Sequence, residues 1–442
     1  MDLEPCYNFE SQTACASLIQ NLSCSFTMGK EEFNCQAEIV LDSDCSLDIK
    51  TEIQIDFKRY LSFIFSMSST INIITLNGQK IPAFISEITS SSGKATITFS
   101  PTEYPFSLVG DNETRLSKVI FHLFDFKDRI GTSPKVIHSG NSIHVSGITE
   151  LTSTKWKVEL QESRNSEKSD TWKKKSSLSH VCSLSRVDGS EFDGESARQM
   201  LLDLRLFFTF SQGVFCSPVM PVGFDKCENR VWALGSSPRL LVKSAMSWFD
   251  PHHSEQLALV FPHFMSKLED ERWKKTFHTI IYWYARSNNI AGSGIDTGII
   301  LTQIAIERLA YEYAVNHKKM IESKGFKDLK ASDKFRLLLA SLDIPLVIPS
   351  NLLKIQKVVK KFGYIDSPQF LTEIRNAMVH PEHKRQNDFS DLYYDAWRLG
   401  MWYLELAVLK LCNYKGTYVN RLTDEHWVGQ VEDVPWSKKQ SE

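Results

Sequence analysis

The clearest pattern in the chain is an alternation: Leu47, Ile49, Thr51, Ile53, Ile55 and Phe57 stand at every second position between mostly polar neighbours. This is the period of a β-strand with one buried face. Shorter versions of it follow. Ile71 and Ile73 precede an Asn77-Gly78 turn signal, and Ala95, Ile97 and Phe99, then Ile143 and Val145, then Trp156, Val158 and Leu160 repeat the alternation. The first third is therefore expected to be antiparallel β structure, a sheet or sandwich-like region. The polar, Ser- and Lys-rich stretch from Glu162 to Ser179 is expected to be an exposed loop or a short linker.

From Ser196 to Phe210 the period lengthens, with Met200, Leu201, Leu204, Phe207 and Phe208 at helical spacing, until Pro218, Pro221 and Gly223 interrupt it. Beyond about Leu268 helical patterns dominate. One helix is expected from Trp273 to Arg286, and a second, apolar nearly all round and so central, from Asp296 to Ala314. Shorter ones are expected at Lys334 to Leu342 and Asn351 to Phe362, and a long one from Asp391 to Leu411. Four or five antiparallel helices with short connections make a bundle. The chain thus reads as α+β: a β-rich domain at 1–165, a mixed α/β continuation at 166–268, a helical bundle at 269–415 and a polar, peripheral tail at 416–442. No internal repeat is visible.

Composition narrows this further. With 42% hydrophobic and 24% charged residues the chain is of globular type, and 51 basic against 53 acidic residues exclude a uniformly basic nucleic-acid coat. The charge is unevenly spread. Residues 1–57 carry two lysines and eleven acids, a balance of −9, whereas residues 316–385 carry fourteen bases and seven acids, a balance of +7. A nucleic-acid site, if present, is expected in the basic segment, with the acidic end repelling RNA or covering the basic groove. The start has neither a basic region nor an apolar run of the leader kind, and no stretch is long and apolar enough for a membrane span, so a cytoplasmic protein without membrane contact is expected. Nine cysteines, five of them at Cys6, Cys15, Cys24, Cys35 and Cys45, include no Cys-x-x-Cys clamp. Small buried side chains are expected of them before metal ligands. His252 and His253 are adjacent and would point to opposite faces of a strand, so a surface loop is expected there instead of a metal site.

The candidate chemistry lies in the basic segment, at Ile374-Arg375-Asn376-Ala377-Met378-Val379-His380-Pro381. On a helix Asn376 and His380 form an i, i+4 pair, so the amide can orient the imidazole, and Arg375 can reach the same edge. Pro381 disfavours helical backbone at His380 and should present the ring at a helix end. A cation beside a base suits RNA cleavage by the RNA's own 2′-hydroxyl: histidine moves the proton, and guanidinium stabilises charge growing on the phosphoryl oxygens. The competing assignment pairs Arg375 with a carboxylate and leaves His380 merely closing the helix.

The helices from Trp273 to Leu411, with Arg375-Asn376-Ala377-Met378-Val379-His380 near the final helical hairpin, resemble a HEPN domain, whose ribonuclease members carry Arg, a polar residue, three residues and then His. The resemblance extends upstream. The β-rich start, Arg205-Leu206-Phe207-Phe208-Thr209-Phe210, Ser247-Trp248-Phe249-Asp250 and Ile304-Ala305-Ile306-Glu307-Arg308-Leu309 are together similar to the ApeA group of HEPN-containing anti-phage, abortive-infection proteins. It implies a bacterial cytoplasmic defence ribonuclease, with the N-terminal region sensing or restraining. It also implies Arg375 and His380 as catalytic pair, Asn376 as orienting residue and at least a homodimer. Glu307, a charge in an apolar helix, has Arg375 or a surface lysine as its expected partner. HEPN toxins that carry a tyrosine two places after the histidine are not matched, because Glu382 stands there.

The first functional expectation is thus a HEPN endoribonuclease that needs no metal or cofactor. Its products would be a 2′,3′-cyclic phosphate and a 5′-hydroxyl. Its substrate would be structured RNA such as tRNA, steered by Lys384, Arg385, Lys360 and Lys361, and its trigger phage-derived. The second is an inactive HEPN bundle used for dimerisation or binding, with the β-rich region as a protein-interaction surface.

Overall fold

The computed structural model describes residues 2–9, 16–28, 30–41, 46–65, 67, 69–75, 78–91, 93–128, 130–139, 142–163, 177–236, 245–380, 389–424 and 427–437. The chain is mixed α+β, β-rich at the start and helical towards the end. Its contacts divide it into two units of discontinuous segments: Met1–Lys127 with Lys155–Arg205 and Cys216–Lys243, and Asp128–Thr154 with Leu206–Phe215 and Ser244–Glu442.

In the first unit, strands β1 (Ala16–Met28), β2 (Glu31–Leu41), β3 (Leu47–Gln54), β4 (Ile71–Thr75), β5 (Lys80–Ser91) and β6 (Lys94–Pro101) close into a barrel in the order β1-β2-β3-β6-β5-β4. Every described pairing is antiparallel, as expected, but the sheet curls onto itself and is no sandwich. Closure comes from β1, which pairs with both β2 and β4 and shifts register between Ser17 and Leu22. Such irregularities bend a strand and raise its twist. The alternation seen in the sequence is the barrel's inside-outside alternation: Leu47, Ile49, Thr51 and Ile53 are buried between more exposed neighbours. It stops before Phe57, which opens helix α1 (Phe57–Phe65), because Asp56 Oδ1 accepts the Arg59 N–H at 2.8 Å and caps the first turn. Asn77 of the expected turn lies outside the described residues; Gly78 takes the positive φ of 74° that such a turn requires.

The same unit continues with β7 (Phe106–Val109), β8 (Arg115–Leu116) and β9 (Lys118–Phe124); β10 (Ser133–Ser139) and β11 (Ser142–Thr152) belong to the other unit. After them come β12 (Trp156–Glu162), β13 (Leu178–Arg186), β14 (Phe192–Asp193), helix α2 (Gly194–Gln212), β15 (Val219–Phe224) and β16 (Arg230–Gly235). Within the unit the ladder runs β12-β13-β9-β15-β16-β7, and β8 pairs separately with β14. One apolar core joins barrel residues such as Phe26, Ile49 and Phe99 to sheet residues such as Ile120, Phe124 and Val222. Most of the expected loop or linker between Glu162 and Ser179, residues 164–176, lies outside the described residues; Glu162 pairs with His180 across β12 and β13.

The second unit is mainly helical. Its hairpin of β10 and β11 carries Asp128 at its base, whose carboxylate accepts hydrogen bonds from Thr149 and from Ser254 ahead of α3 (Glu255–Glu269). Then follow α4 (Glu271–Asn288), α5 (Ile290–Ser293), α6 (Ile295–Tyr311) with a π-helical turn at Glu312–His317, α7 (Ser323–Asp328), α8 (Ala331–Ser341), α9 (Leu353–Phe362), α10 (Ser367–Val379) and α11 (Tyr393–Leu411). Helix α6 is central, as its all-round apolarity suggests, and packs against α4, α8, α10 and α11. Gly298 lets it come close: a Cβ there would stand 3.0 Å from the Ser287 carbonyl oxygen of α4 and 3.0 Å from the Trp397 ring of α11. The stretch expected to be a peripheral tail is packed in, since Tyr418, Arg421, Leu422 and Val434 are all buried. Two short strands, β17 (Thr417–Tyr418) and β18 (Glu432–Asp433), pair within it. None of the described helices is long and apolar enough to cross a membrane.

Candidate functional site

The Arg-Asn-x-x-x-His segment occupies the C-terminal end of α10. The helix starts firmly: Asp366 Oδ1 accepts the Gln369 N–H at 3.0 Å, Pro368 sits in the first turn, and both Asp366 oxygens accept from the Arg336 guanidinium of α8, at 2.6 and 3.1 Å. The fork of two bonds raises the affinity of the Arg336 guanidinium for its proton, the Asp366 hydrogen bond being the largest cause. Phe370, Leu371 and Ile374 bury the inner face, and Gln303 of α6 donates to the Leu371 carbonyl at 2.6 Å. The motif therefore ends a helix whose position is fixed.

At the other end, Ala377, Val379 and His380 are exposed, while Arg375 and Asn376 are half-buried. His380 leaves the helix with φ −111° and ψ 104°, the extended backbone that a following proline favours. The expected i, i+4 geometry changes as a result. The bond between Asn376 and His380 is a backbone one, from the His380 N–H to the Asn376 carbonyl at 2.9 Å. The Asn376 amide oxygen accepts from Arg375 Nη1 at 3.2 Å, so the amide orients the guanidinium. Among the described residues no carboxylate is paired with Arg375.

Glu307 does not join them. Its Oε1 lies 2.6 Å from Lys334 Nζ of α8, so its partner is a lysine, as one alternative had it, but one whose side chain is only 14% exposed, and it is not paired with Arg375. Lys360 and Lys361 are exposed in the last turn of α9, Lys361 Nζ standing 5.1 Å from the Phe362 ring centre. The Phe362 ring in turn meets Phe389, where the described chain resumes after the motif, at 5.9 Å. Lys384 and Arg385 lie outside the described residues. His252 and His253 are held in a turn by Asp250, whose Oδ1 accepts from the His252 N–H at 2.8 Å and contacts His253 Nδ1 at 3.1 Å. Among the described residues no three His, Cys, Asp or Glu side chains come together as a metal site would need.

Sequence reasoning missed the most buried polar cluster of this unit. Arg421 and Glu405 are both fully buried, with Nη2 to Oε1 at 2.6 Å and Nε to Oε2 at 3.2 Å. The Tyr284 hydroxyl donates to Glu405 Oε1 at 2.6 Å, and Arg421 donates to Asn288 Oδ1 at 3.1 Å and to the Met246 carbonyl at 2.6 Å. Burial, and after it the Glu405 charge, pushes the Tyr284 hydroxyl far above its ordinary range, so it remains a donor. One signal could have found the cluster: Glu405 is a lone acid in the apolar core of α11, the same cue that drew attention to Glu307. The packing of this cluster against α4 and α11 makes it a brace rather than a reaction site.

Comparison with known proteins shows similarity to one set of domains. Residues 111–245 match the YopA central domain and residues 270–433 the YopA C-terminal domain. Among curated proteins, the SPbeta prophage-derived uncharacterized protein YopA of Bacillus subtilis (strain 168) is 28% identical over 340 residues, 75% of each chain. No solved structure matches. The chain is thus similar in its middle and at its end, in that order, to the central and C-terminal domains of YopA, and the second of these stretches contains Arg375, Asn376 and His380.

Proposed function

We propose that this protein is a HEPN-type endoribonuclease whose helical unit cuts RNA without a metal ion, and that it works in the bacterial cytoplasm in anti-phage defence. The observation that carries the reading is the state of Arg375. Its guanidinium is held by a neutral amide, is paired with no carboxylate among the described residues, and stands one helical turn before an exposed imidazole. An arginine in that state has its charge and its forked donors available for phosphate.

In the proposed reaction the 2′-hydroxyl attacks the adjacent phosphorus, His380 moves a proton, and Arg375 stabilises the charge on the phosphoryl oxygens. Asn376 is a positioning residue that fixes the guanidinium. Attack and release both require proton transfer, so two facing motifs from a homodimer would supply a base and an acid together. Lys360 and Lys361 provide exposed positive charge for the RNA backbone. The defence setting comes from the ApeA-like resemblance, and a relative described as prophage-derived fits a role at the phage–host boundary.

The test is cleavage of structured RNA by the full chain in excess EDTA, with 2′,3′-cyclic phosphate ends assayed on the products. His380→Ala and Arg375→Ala should each reduce cleavage by a factor of roughly a hundred or more while circular dichroism stays unchanged. Unchanged cleavage in both variants would overturn the assignment. RNA retention without cleavage by the wild-type chain would favour the inactive, binding reading instead.

A further inference from the structure

The barrel contains a pair of thiols that the proposed nuclease does not use. Cys24 of β1 and Cys35 of β2 are direct partners in the antiparallel register, and their sulfur atoms are 3.6 Å apart. Both belong to the inward-facing apolar set, Cys24 buried and Cys35 partly so. Cys24 also stands opposite Thr75 of β4, so the pair lies on the strand whose second partner closes the barrel. Direct partners in an antiparallel ladder have Cβ atoms about 4.5–5.5 Å apart, and a disulfide needs about 3.5–4.5 Å. The sulfurs would have to approach by roughly 1.5 Å to reach bonding distance, within the reach of a side-chain rotation and a small strand movement.

From this geometry we infer that Cys24 and Cys35 form a reversible modification site, in which a peroxide oxidises the pair to a disulfide across the β1–β2 ladder. Partial exposure makes Cys35 the first sulfur to react. The hydrogen bond from the Cys24 thiol lowers the Cys35 thiol below its ordinary 9.0, which favours the nucleophilic thiolate there, and the same bond, with burial after it, raises Cys24. The Cys35 thiolate attacks one peroxide oxygen, the O–O bond breaks, and the departing hydroxide takes up the proton released from Cys35. The Cys24 sulfur then attacks the Cys35 sulfenic sulfur; an S–S bond forms, the S–O bond breaks, and water leaves with the Cys24 proton. In sum, two thiols give up two electrons and two protons to one hydrogen peroxide, which becomes two waters.

The remaining described cysteines offer a built-in comparison. Cys182, Cys216 and Cys412 are buried and Cys6 partly so, and burial pushes the Cys6, Cys216 and Cys412 thiols up, whereas Cys227 is exposed. The experiment exposes the reduced full chain to hydrogen peroxide, blocks free thiols with N-ethylmaleimide and maps the modified peptides by mass spectrometry. The expected result is a mass loss of about 2 Da and a Cys24–Cys35 link formed roughly ten times faster than Cys227 is oxidised, reversed by dithiothreitol. In Cys35→Ser the link disappears and Cys24 resists peroxide; in Cys24→Ala, Cys35 accumulates sulfenic acid that dimedone traps. A Cys35 linked preferentially to another cysteine, or a Cys24–Cys35 pair still free when Cys227 is oxidised, overturns the inference. Both wild-type readouts are independent of RNA cleavage.

Discussion

Breaking the Arg421–Glu405 pair tests how the helical unit is braced. Both side chains are completely buried, and the guanidinium meets the carboxylate with two bonds, at 2.6 and 3.2 Å. With charge centres about 4 Å apart and an effective dielectric near 20, their attraction is about 4 kcal/mol, comparable to what burying the two ions costs. The intact pair is therefore close to neutral for stability, but losing one partner is not. Glu405→Gln keeps the shape yet leaves Arg421 charged among Asn288 Oδ1 and the Met246 carbonyl, and its new amide N–H groups face those of the guanidinium. Arg421→Met leaves a buried carboxylate whose remaining donor among the described residues is the Tyr284 hydroxyl. Each change should lower stability by about 3–5 kcal/mol. The joint replacement Glu405→Leu with Arg421→Met leaves no buried charge and should cost several kcal/mol less than the two single losses combined. Urea unfolding followed by far-ultraviolet circular dichroism, to which the helices contribute most, measures all four chains. Single losses below about 1 kcal/mol, or a double loss equal to their sum, would refute the account of the pair as a buried, mutually dependent brace.

Three further outcomes follow from other parts of the molecule. His122 is buried with Nδ1 3.0 Å from the Val219 carbonyl and Nε2 accepting the Cys6 N–H at 3.1 Å, and burial lowers its pKa from 6.5 to about 4. The unfolded chain then binds this proton first as pH falls, so stability is full above about 6.5 and drops by about 3 kcal/mol on the way to pH 4, a slope that His122→Asn should remove from urea midpoints measured across that range. Because Glu307 pairs with Lys334 and both are partly exposed, Glu307→Gln should cost no more than about 1 kcal/mol and leave RNA cleavage within about twofold, as read by melting and initial rates. Replacing Lys360 and Lys361 by alanine should weaken RNA binding at low salt and reduce the slope of log affinity against log salt by about 1.5, measured by fluorescence anisotropy on labelled RNA.

The parts of the fold readable in advance are those in which one residue's burial repeats along one element. The barrel strands announced themselves because Leu47, Ile49, Thr51 and Ile53 face inward together, and α6 because it is buried on several sides by α4, α8, α10 and α11. Closure of the barrel was hidden, since it depends on β1 meeting β4, some fifty residues away, through a register irregularity that alternation does not encode. The packing of residues 416–442 was hidden for a related reason. Its anchors, Tyr418, Arg421, Leu422 and Val434, are scattered with no period among polar residues, so composition reported a tail where packing makes a wedge. In the motif, spacing found the residues, and Pro381 the helix end at His380, but the i, i+4 count paired the Asn376 amide with the imidazole. The turn to extended backbone gave the amide of Asn376 to Arg375.

Exposed arginines of the helical unit such as Arg286, held by the Tyr282 hydroxyl at 3.2 Å, also lack a carboxylate, but among its described arginines that are partly or fully buried Arg375 stands apart. Arg336 is held by Asp333 and Asp366, Arg398 by Asp395 and Asp424, and Arg421 by Glu405. Each of these guanidiniums faces a carboxylate, and each ties one element to another or to its own preceding turn, as a structural arginine does. Arg375 is half-buried too, yet the side chain that fixes it is neutral and comes from the very next residue, so the bond orients the guanidinium without neutralising it or tying it to another element. A structural role would have been served better by an acid at position 376, which would have supplied charge as well as a hydrogen bond. Asparagine instead keeps the net positive charge at a helix end, where the last carbonyls already favour a cation. In the proposed reaction that charge would meet an anion from outside the chain, and the exposed imidazole of His380, one turn on, would be its proton-transfer partner.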